Sequence, residues 1–282
     1  MDEAVAGKAP DAPSALTPFE RHALGFARAL NSNPLATRVL GRYARAFSVP
    51  LVHSLTFNLL HVEGFDHIDA LPRSTGFLLC SNHRSFFDGY VLATPLLRRY
   101  PWLARTYFPV RSTFFYESVA GVAINLVFGA LTMYPPVFRD VAKSAHNREA
   151  VSHIVDILAR PDTMVGMHPE GTRGRGADPY TLLRAQPGVG EIALKAGVPV
   201  VPAFVLGLDN NLAKQVRLNF RRGQKPRTPV IIVFGAPVDL SGFVGQTARP
   251  ALYKRVADKI LDDVRALGER ERAIRAELAR GG

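Results

Sequence analysis

The chain has 282 residues, 47% of them hydrophobic, so it can bury a substantial core and needs no more than one main domain. Lysine and arginine total 35 against 24 acids, a net charge of +11, and such a surplus points to an anionic partner: nucleic acid, a phosphate-bearing substrate or lipid headgroups. No nucleic-acid-binding motif or aromatic-interleaved basic surface accompanies it, and the single Cys80 excludes an internal disulfide framework and suits a reducing compartment.

Residues 1–18 are acidic and rich in alanine and proline; they read as a disordered lead-in with no secretory signal, so the protein is expected to stay inside the cell. From residue 19 to 60 the apolar Leu24, Leu30, Leu35, Val39, Leu40, Tyr43 and Phe47 interleave with Arg21, Arg28, Arg38, Arg42 and Arg45, and Asn33-Pro34 divides the segment into two helices. The second, over residues 35–47, is basic and amphipathic. It either docks in a membrane interface or packs on the rest of the protein with a solvated arginine face.

Residues 61–282 form the main domain, in which strand-like runs at 77–80, 163–167, 198–206 and 229–234 alternate with helical stretches such as 148–159 and 189–196. This predicts an α/β fold: a central mixed, mainly parallel sheet flanked by helices, with the N-terminal amphipathic pair as an appendage. No stretch reaches the ~18 apolar residues of a transmembrane helix. Residues 119–133, interrupted by Asn125, read as a core helix or a segment dipping into an interface. Lys214, Arg217, Arg221, Arg222, Lys225 and Arg227 form an acid-free basic run, expected to be a solvated or lipid-facing loop. In the C-terminal stretch Leu252, Val256, Ile260, Val264 and Leu267 share a helix face, and the alternating Arg and Glu beyond them read as a solvated helix end.

Two strand ends carry chemistry. After the first run comes Ser81-Asn82-His83-Arg84-Ser85-Phe86-Phe87-Asp88, in which a carboxylate can fold back onto an imidazole, fix its tautomer and leave the other ring nitrogen as a base. After the second comes Met167-His168-Pro169-Glu170-Gly171-Thr172-Arg173-Gly174, where Gly171 lets backbone amides approach an anion and Arg173 can fork onto a phosphate. Each cluster alone also fits a plainer reading, a surface His-Asp pair and a Pro-Gly loop with a solvated ion pair. Cys80, in an apolar strand, is expected to be inert. A metal site from His83, Asp88, His168 and Glu170 has the right ligand types but no histidine pair at metal spacing.

Taken in order, Asn82, His83 and Asp88 and then the unbroken block from Pro169 to Arg173 resemble the glycerolipid acyltransferase family, best known for the 1-acylglycerol-3-phosphate O-acyltransferases. The apolar Val198-Pro199-Val200-Val201-Pro202 matches a third block. A fourth is matched loosely by Met133-Tyr134-Pro135-Pro136-Val137-Phe138-Arg139. Where the family has an aromatic residue before Pro169, this chain has His168. The resemblance implies that His83 is the general base and Asp88 its orienting carboxylate. It also implies that Arg139, Glu170, Gly171, Thr172 and Arg173 hold the acceptor's glycerol phosphate. Residues 198–202 are apolar and carry no chemistry, so they are expected to form a core strand that can border the acyl channel.

The implied reaction moves a fatty acyl group from acyl-coenzyme A or acyl carrier protein to lysophosphatidic acid, giving phosphatidic acid for phospholipid biosynthesis, with no bound cofactor or metal. The implied site of action is the cytoplasmic face of the cell membrane, against an anionic surface and without nucleic acid. The same chemistry on glycerol 3-phosphate, a lyso-aminolipid or a glycolipid, or a non-catalytic lipid-binding role, are the competing readings.

Overall fold

The computed structural model describes residues 17–137, 144–220 and 229–280; the expected lead-in therefore lies outside the described residues, apart from its last two. Helix α1 (Pro18–Ser32) opens with a reciprocal cap: the Glu20 amide donates to Thr17 Oγ1 at 3.2 Å while the Thr17 amide donates to the Glu20 carboxylate at 2.6 Å. Asn33 ends it and starts α2 (Pro34–Tyr43), its side-chain oxygen accepting from the amides of Leu35 and Ala36 with Pro34 in the first turn. A π-helical turn (Ala44–Ser48) leads into α3 (Val49–Ser54). The helical run thus extends past residue 47: the π-helical turn, in which the Val49 amide donates to the Ala44 carbonyl, carries the chain into Pro50 near the start of α3.

This appendage is tied to the body on one side only. Ala44, Ser48, Val49 and Val52 are buried, and the Arg45 guanidinium donates to the carbonyls of Leu97, Tyr100 and Leu103 beyond and within the last turn of a core helix. One of the arginines expected on a solvated face therefore serves as an anchor. The opposite side leaves Leu35 70% and Val39 56% exposed.

The body continues with β1 (Leu60–Glu63), α4 (Phe65–Asp69), β2 (Phe77–Ser81), α5 (Asp88–Arg99), β3 (Arg105–Tyr107), β4 (Val110–Arg111), α6 (Ser112–Phe115), α7 (Val119–Gly129) and β5 (Pro136–Val137). It then runs through α8 (Ser144–Leu158), β6 (Thr163–Met167), α9 (Pro187–Ala196), β7 (Val200–Leu206), α10 (Leu212–Phe220), β8 (Val230–Phe234) and α11 (Pro250–Arg280). Among the described residues, six strands form one sheet in the order β1-β8-β7-β2-β6-β3, parallel throughout except for the antiparallel β7/β8 pair, and β4 and β5 form a small ribbon. The expected mixed, mainly parallel α/β architecture is the one observed.

The central strands β2, β6, β7 and β8 are those with continuous apolar sequence, buried on both faces as a helix-covered parallel sheet demands. The two edge strands escape such a reading. β1 is half-buried, and β3 begins with Arg105, buried because its guanidinium donates to the Ala130 carbonyl and the Asn31 side-chain oxygen, both at 3.0 Å. Gly190 lets α9 lie against α11: a Cβ there would sit 2.0 Å from the Tyr253 carbonyl oxygen.

Two sequence expectations need correction. The charged end of α11 is not simply solvated: Glu271 and Ile274 are buried. Glu271 accepts from Tyr180 Oη at 2.6 Å and from Arg275 Nε at 2.9 Å, while Arg275 Nη1 reaches the Pro229 carbonyl at 3.1 Å. The helical repeat carries the packed stripe from Val264 through Gly268 to Glu271 and Ile274, so charges on that stripe pair with each other. Likewise Lys214 and Arg217 lie on α10 and not in a loop, and Lys214 pairs with Asp209 at 2.6 Å; positions 221, 222, 225 and 227 lie outside the described residues. Helix α7 stops at Gly129, with Asn125 buried and Val119 73% exposed. No helix among the described residues is long and apolar enough to cross a membrane.

Candidate active site

Strands β2 and β6 are parallel neighbours, with Cys80 opposite Met167, so the loops that follow them leave the same edge of the sheet side by side. Such carboxyl-terminal strand ends are where open α/β sheets bind their ligands. Asn82, fully buried, extends β2 by one rung with its side chain: its Nδ2 donates to the Val205 carbonyl and its Oδ1 accepts from the Val205 amide, both at 2.8 Å. The chain is thereby pinned to β7 at the residue before His83.

His83 Nδ1 lies 2.9 Å from Asp88 Oδ2. The same carboxylate oxygen accepts from the amides of Arg84 at 2.7 Å and Ser85 at 2.8 Å. These bonds explain the spacing of four intervening residues. Asp88, the first residue of α5, must reach back over one turn to satisfy the loop amides and the ring together, and the helix N-terminus favours its negative charge. Its side chain is 2% exposed and that of His83 21%, so the outer ring nitrogen faces the open side.

The second cluster is bound to the first by backbone. Glu170, buried, accepts from the His83 amide at 2.9 Å through one oxygen and from the Leu183 amide at 2.7 Å through the other, and the Gly174 amide donates to the His83 carbonyl at 2.8 Å. Gly171 takes a left-handed conformation (φ 65°) and its amide closes a turn onto the His168 carbonyl at 2.9 Å. His168 stacks on His83 with ring centroids 3.9 Å apart and planes within 4°. Its Nδ1 donates to the carbonyls of Ser81 and Asn82, at 3.2 and 3.1 Å. The imidazole therefore keeps the flat packing role of an aromatic side chain.

Thr172 is exposed and Arg173 half-buried beside it. Arg173 Nη1 lies 3.3 Å from Asn210 Oδ1, and its charge acts on both His83 and Asp88. The structure thus brings together His83, Asp88, Glu170, Gly171, Thr172 and Arg173. Arg139 lies outside the described residues. Asn210, in the loop after β7, is a site residue that carries no sequence signal: it stands 37 positions from Arg173 and belongs to no recognised motif. Cys80 is fully buried and its thiol is pushed up by burial, as an inert cysteine would be. The four side chains that could compose a metal site are otherwise engaged, Glu170 on two backbone amides, His168 on two carbonyls and Asp88 on His83 and two amides.

Burial, aided by Arg173, drives the His83 imidazole down to about 4, and burial pushes the Asp88 carboxyl up to about 6. At pH 7 the ring is neutral and the carboxylate ionised, which is the form competent as a base. The first proton added on acidification enters the pair near pH 6, so kcat/KM is expected to fall below about pH 6; a pH–rate profile flat down to pH 5 would contradict this assignment.

The two shifts act on stability in opposite directions. A raised carboxyl pKa means that the folded state takes up that proton first, which favours the fold as pH falls from about 6 to the ordinary value of 3.8. A lowered imidazole pKa means that the unfolded state takes it up first, which disfavours the fold as pH falls from 6.5 to about 4.

A family model described as Acyltransferase matches residues 63–206, a span that holds β2, β6 and both clusters. The chain is similar to the crystal structure of the 1-acyl-sn-glycerophosphate (LPA) acyltransferase PlsC from Thermotoga maritima, at 21% identity over 88% of each chain, with a TM-score of 0.47. No curated protein matches.

Proposed function

Because the chain belongs to the Acyltransferase family, we propose that it transfers a fatty acyl group from a thioester donor to the free hydroxyl of lysophosphatidic acid, forming phosphatidic acid. The observation that carries this reading is the His83–Asp88 pair at 2.9 Å with Arg173 on the same rim: a base for a hydroxyl next to a cation for a phosphate. In the proposed step His83 Nε2 takes the hydroxyl proton as the oxygen attacks the thioester carbonyl. Asp88 stabilises the imidazolium that forms. Collapse of the tetrahedral intermediate breaks the carbon–sulfur bond, and the proton passes from Nε2 to the departing thiolate, so no acyl-enzyme is needed. Arg173, together with Arg139 and the Gly171-Thr172 turn, receives the acceptor phosphate; a forked guanidinium suits that group better than lysine would. Glu170, with both oxygens on backbone amides, contributes by shaping this loop.

Two small clefts flank α5, and we assign the first, which the catalytic loop reaches through Phe87, to the acyl chain. One is walled by Val52, Leu55, Phe87, Leu208 and Leu212. The other is walled by Ala44, Ser48, Val49, Ala93, Thr94 and Leu97. Tyr90 and Phe128 line both. Residues 198–202 line neither cleft; Val200 and Val201 are core residues of a central strand. Filling the first cavity with Leu212→Trp is expected to raise KM severalfold for long-chain donors while sparing short ones, since each excluded methylene forfeits about 0.8 kcal/mol of burial. Equal loss at every chain length would count against this use of the cavity.

The proposed place of action is the cytoplasmic face of the membrane, and the outer face of α2 supports peripheral binding at an anionic surface. Leu35 and Val39 are exposed beside exposed Arg38 and Arg42, apolar and cationic groups that suit the headgroup boundary. The deciding assay measures thiol release from acyl-coenzyme A with lysophosphatidic acid, glycerol 3-phosphate or an uncharged lyso-lipid, repeated with acyl carrier protein as donor. Release that requires lysophosphatidic acid supports the proposal. Release with another acceptor alone keeps the chemistry and moves the substrate, and no release with any pair overturns it.

A further inference from the structure

The side-chain oxygen of Asn210 is oversubscribed. It accepts from the Phe86 amide at 2.9 Å, from Ser85 Oγ at 3.3 Å and from Arg173 Nη1 at 3.3 Å, whereas an amide carbonyl has two lone pairs. The short bond goes to the backbone of the catalytic loop, and the long bonds go to the two side chains. Ser85 Oγ has a second partner, accepting from the Phe87 amide at 3.2 Å. Arg173, with five N–H donors to place, has Asn210 as its one hydrogen-bonded side-chain partner among the described residues. Asn210 itself is exposed, so this contact is made at the open rim and an incoming anion can compete for it.

One atom therefore links three segments that are remote in sequence: the loop bearing His83, the turn bearing Arg173 and the loop after β7. A neutral oxygen is a weak partner for a guanidinium compared with a carboxylate or phosphate, whose bonds are charge-assisted and roughly twice as strong. Such a partner can orient the cation without neutralising it. An aspartate in the same place would hold Arg173 more tightly and oppose its release.

We propose that Asn210 is a positioning residue that parks Arg173 in register with the catalytic loop and yields it to the anionic group of the acceptor. This rests on the acyl-transfer reading above and deepens it: the neutral latch holds the phosphate-binding cation ready without occupying it. When that phosphate takes Arg173, the Asn210 oxygen keeps the Phe86 amide and Ser85, so the His83 loop stays fixed while substrate binds.

The test compares wild type, Asn210→Asp and Asn210→Ala by calorimetric binding of lysophosphatidic acid and of uncharged monoacylglycerol, with acceptor KM and kcat measured in parallel and thermal unfolding confirming the fold. Asn210→Asp is expected to weaken lysophosphatidic acid binding roughly tenfold or more, as a charge-assisted bond to Arg173 competes with the phosphate, and to raise its KM while kcat stays within about threefold. Binding of monoacylglycerol is expected to change less than about twofold. Asn210→Ala, which frees Arg173 without neutralising it, is expected to weaken lysophosphatidic acid binding by less than the aspartate does. Loss of both acceptors alike, or of neither, in the aspartate variant overturns the role given to Asn210 and leaves the reaction standing. Wild type that binds neither acceptor overturns the acceptor reading itself and the latch with it.

Discussion

Replacing His83 by alanine is expected to lower kcat by about 10²- to 10⁴-fold, the usual contribution of a positioned base, with little change in the unfolding temperature. Stability is spared because Asp88 keeps the amides of Arg84 and Ser85 as donors when the ring is gone, so the carboxylate is not orphaned and the loop keeps its shape. Asp88→Asn should cost nearly as much activity, since an amide oxygen can still accept from Nδ1 but no longer balances the imidazolium. The double variant should be hardly worse than His83→Ala alone, because the two residues act as a unit. Thiol-release kinetics on the three proteins decide the matter. A His83→Ala enzyme that retains more than a tenth of wild-type kcat would remove the imidazole from the mechanism.

The second large effect is expected at Glu170. Its two oxygens satisfy the amides of His83 and Leu183 inside the protein, and leaving a buried donor unpaired costs about 1–3 kcal/mol. Glu170→Ala should therefore lose about 2–6 kcal/mol of stability by that reckoning, seen as a drop of several degrees or more in Tm. It should also lose at least about tenfold in kcat, because the backbone that aims His83 is released. Glu170→Gln keeps one acceptor oxygen and should fall between the two. If instead Glu170→Ala raised only the acceptor KM and left kcat and Tm alone, the carboxylate would be acting on the substrate directly, as the family resemblance by itself implies.

This difference shows what kind of information each level holds. A motif states that a glutamate is needed beside a glycine and an arginine; it does not state what its oxygens touch. The partners of Glu170 lie 87 positions back, at His83, and 13 forward, at Leu183, and their approach is a property of the packed loops. His168 is a similar case. In sequence it is a departure from an aromatic position, and in the fold it is a flat ring stacked on His83 with its Nδ1 fastened to the end of β2.

What the amino-acid sequence determined on its own is whatever depends on local pattern. The four central strands were legible because strands buried on both faces must be apolar throughout. The break at Asn33-Pro34 was legible because an asparagine cap and a proline in the first turn act within three residues, and the His83–Asp88 pair because both partners sit in one turn of chain. What only the tertiary structure decided depends on groups far apart in sequence. The half-buried edge strand β1 and the arginine-led β3 are strands because neighbours pair with them. Arg45 and Arg275 turn inward, and Glu271 is buried, because carbonyls and a tyrosine hydroxyl await them there. Asn210 belongs to the site because the end of β7 is folded against the end of β2, where one side-chain oxygen can tie two other loops to its own.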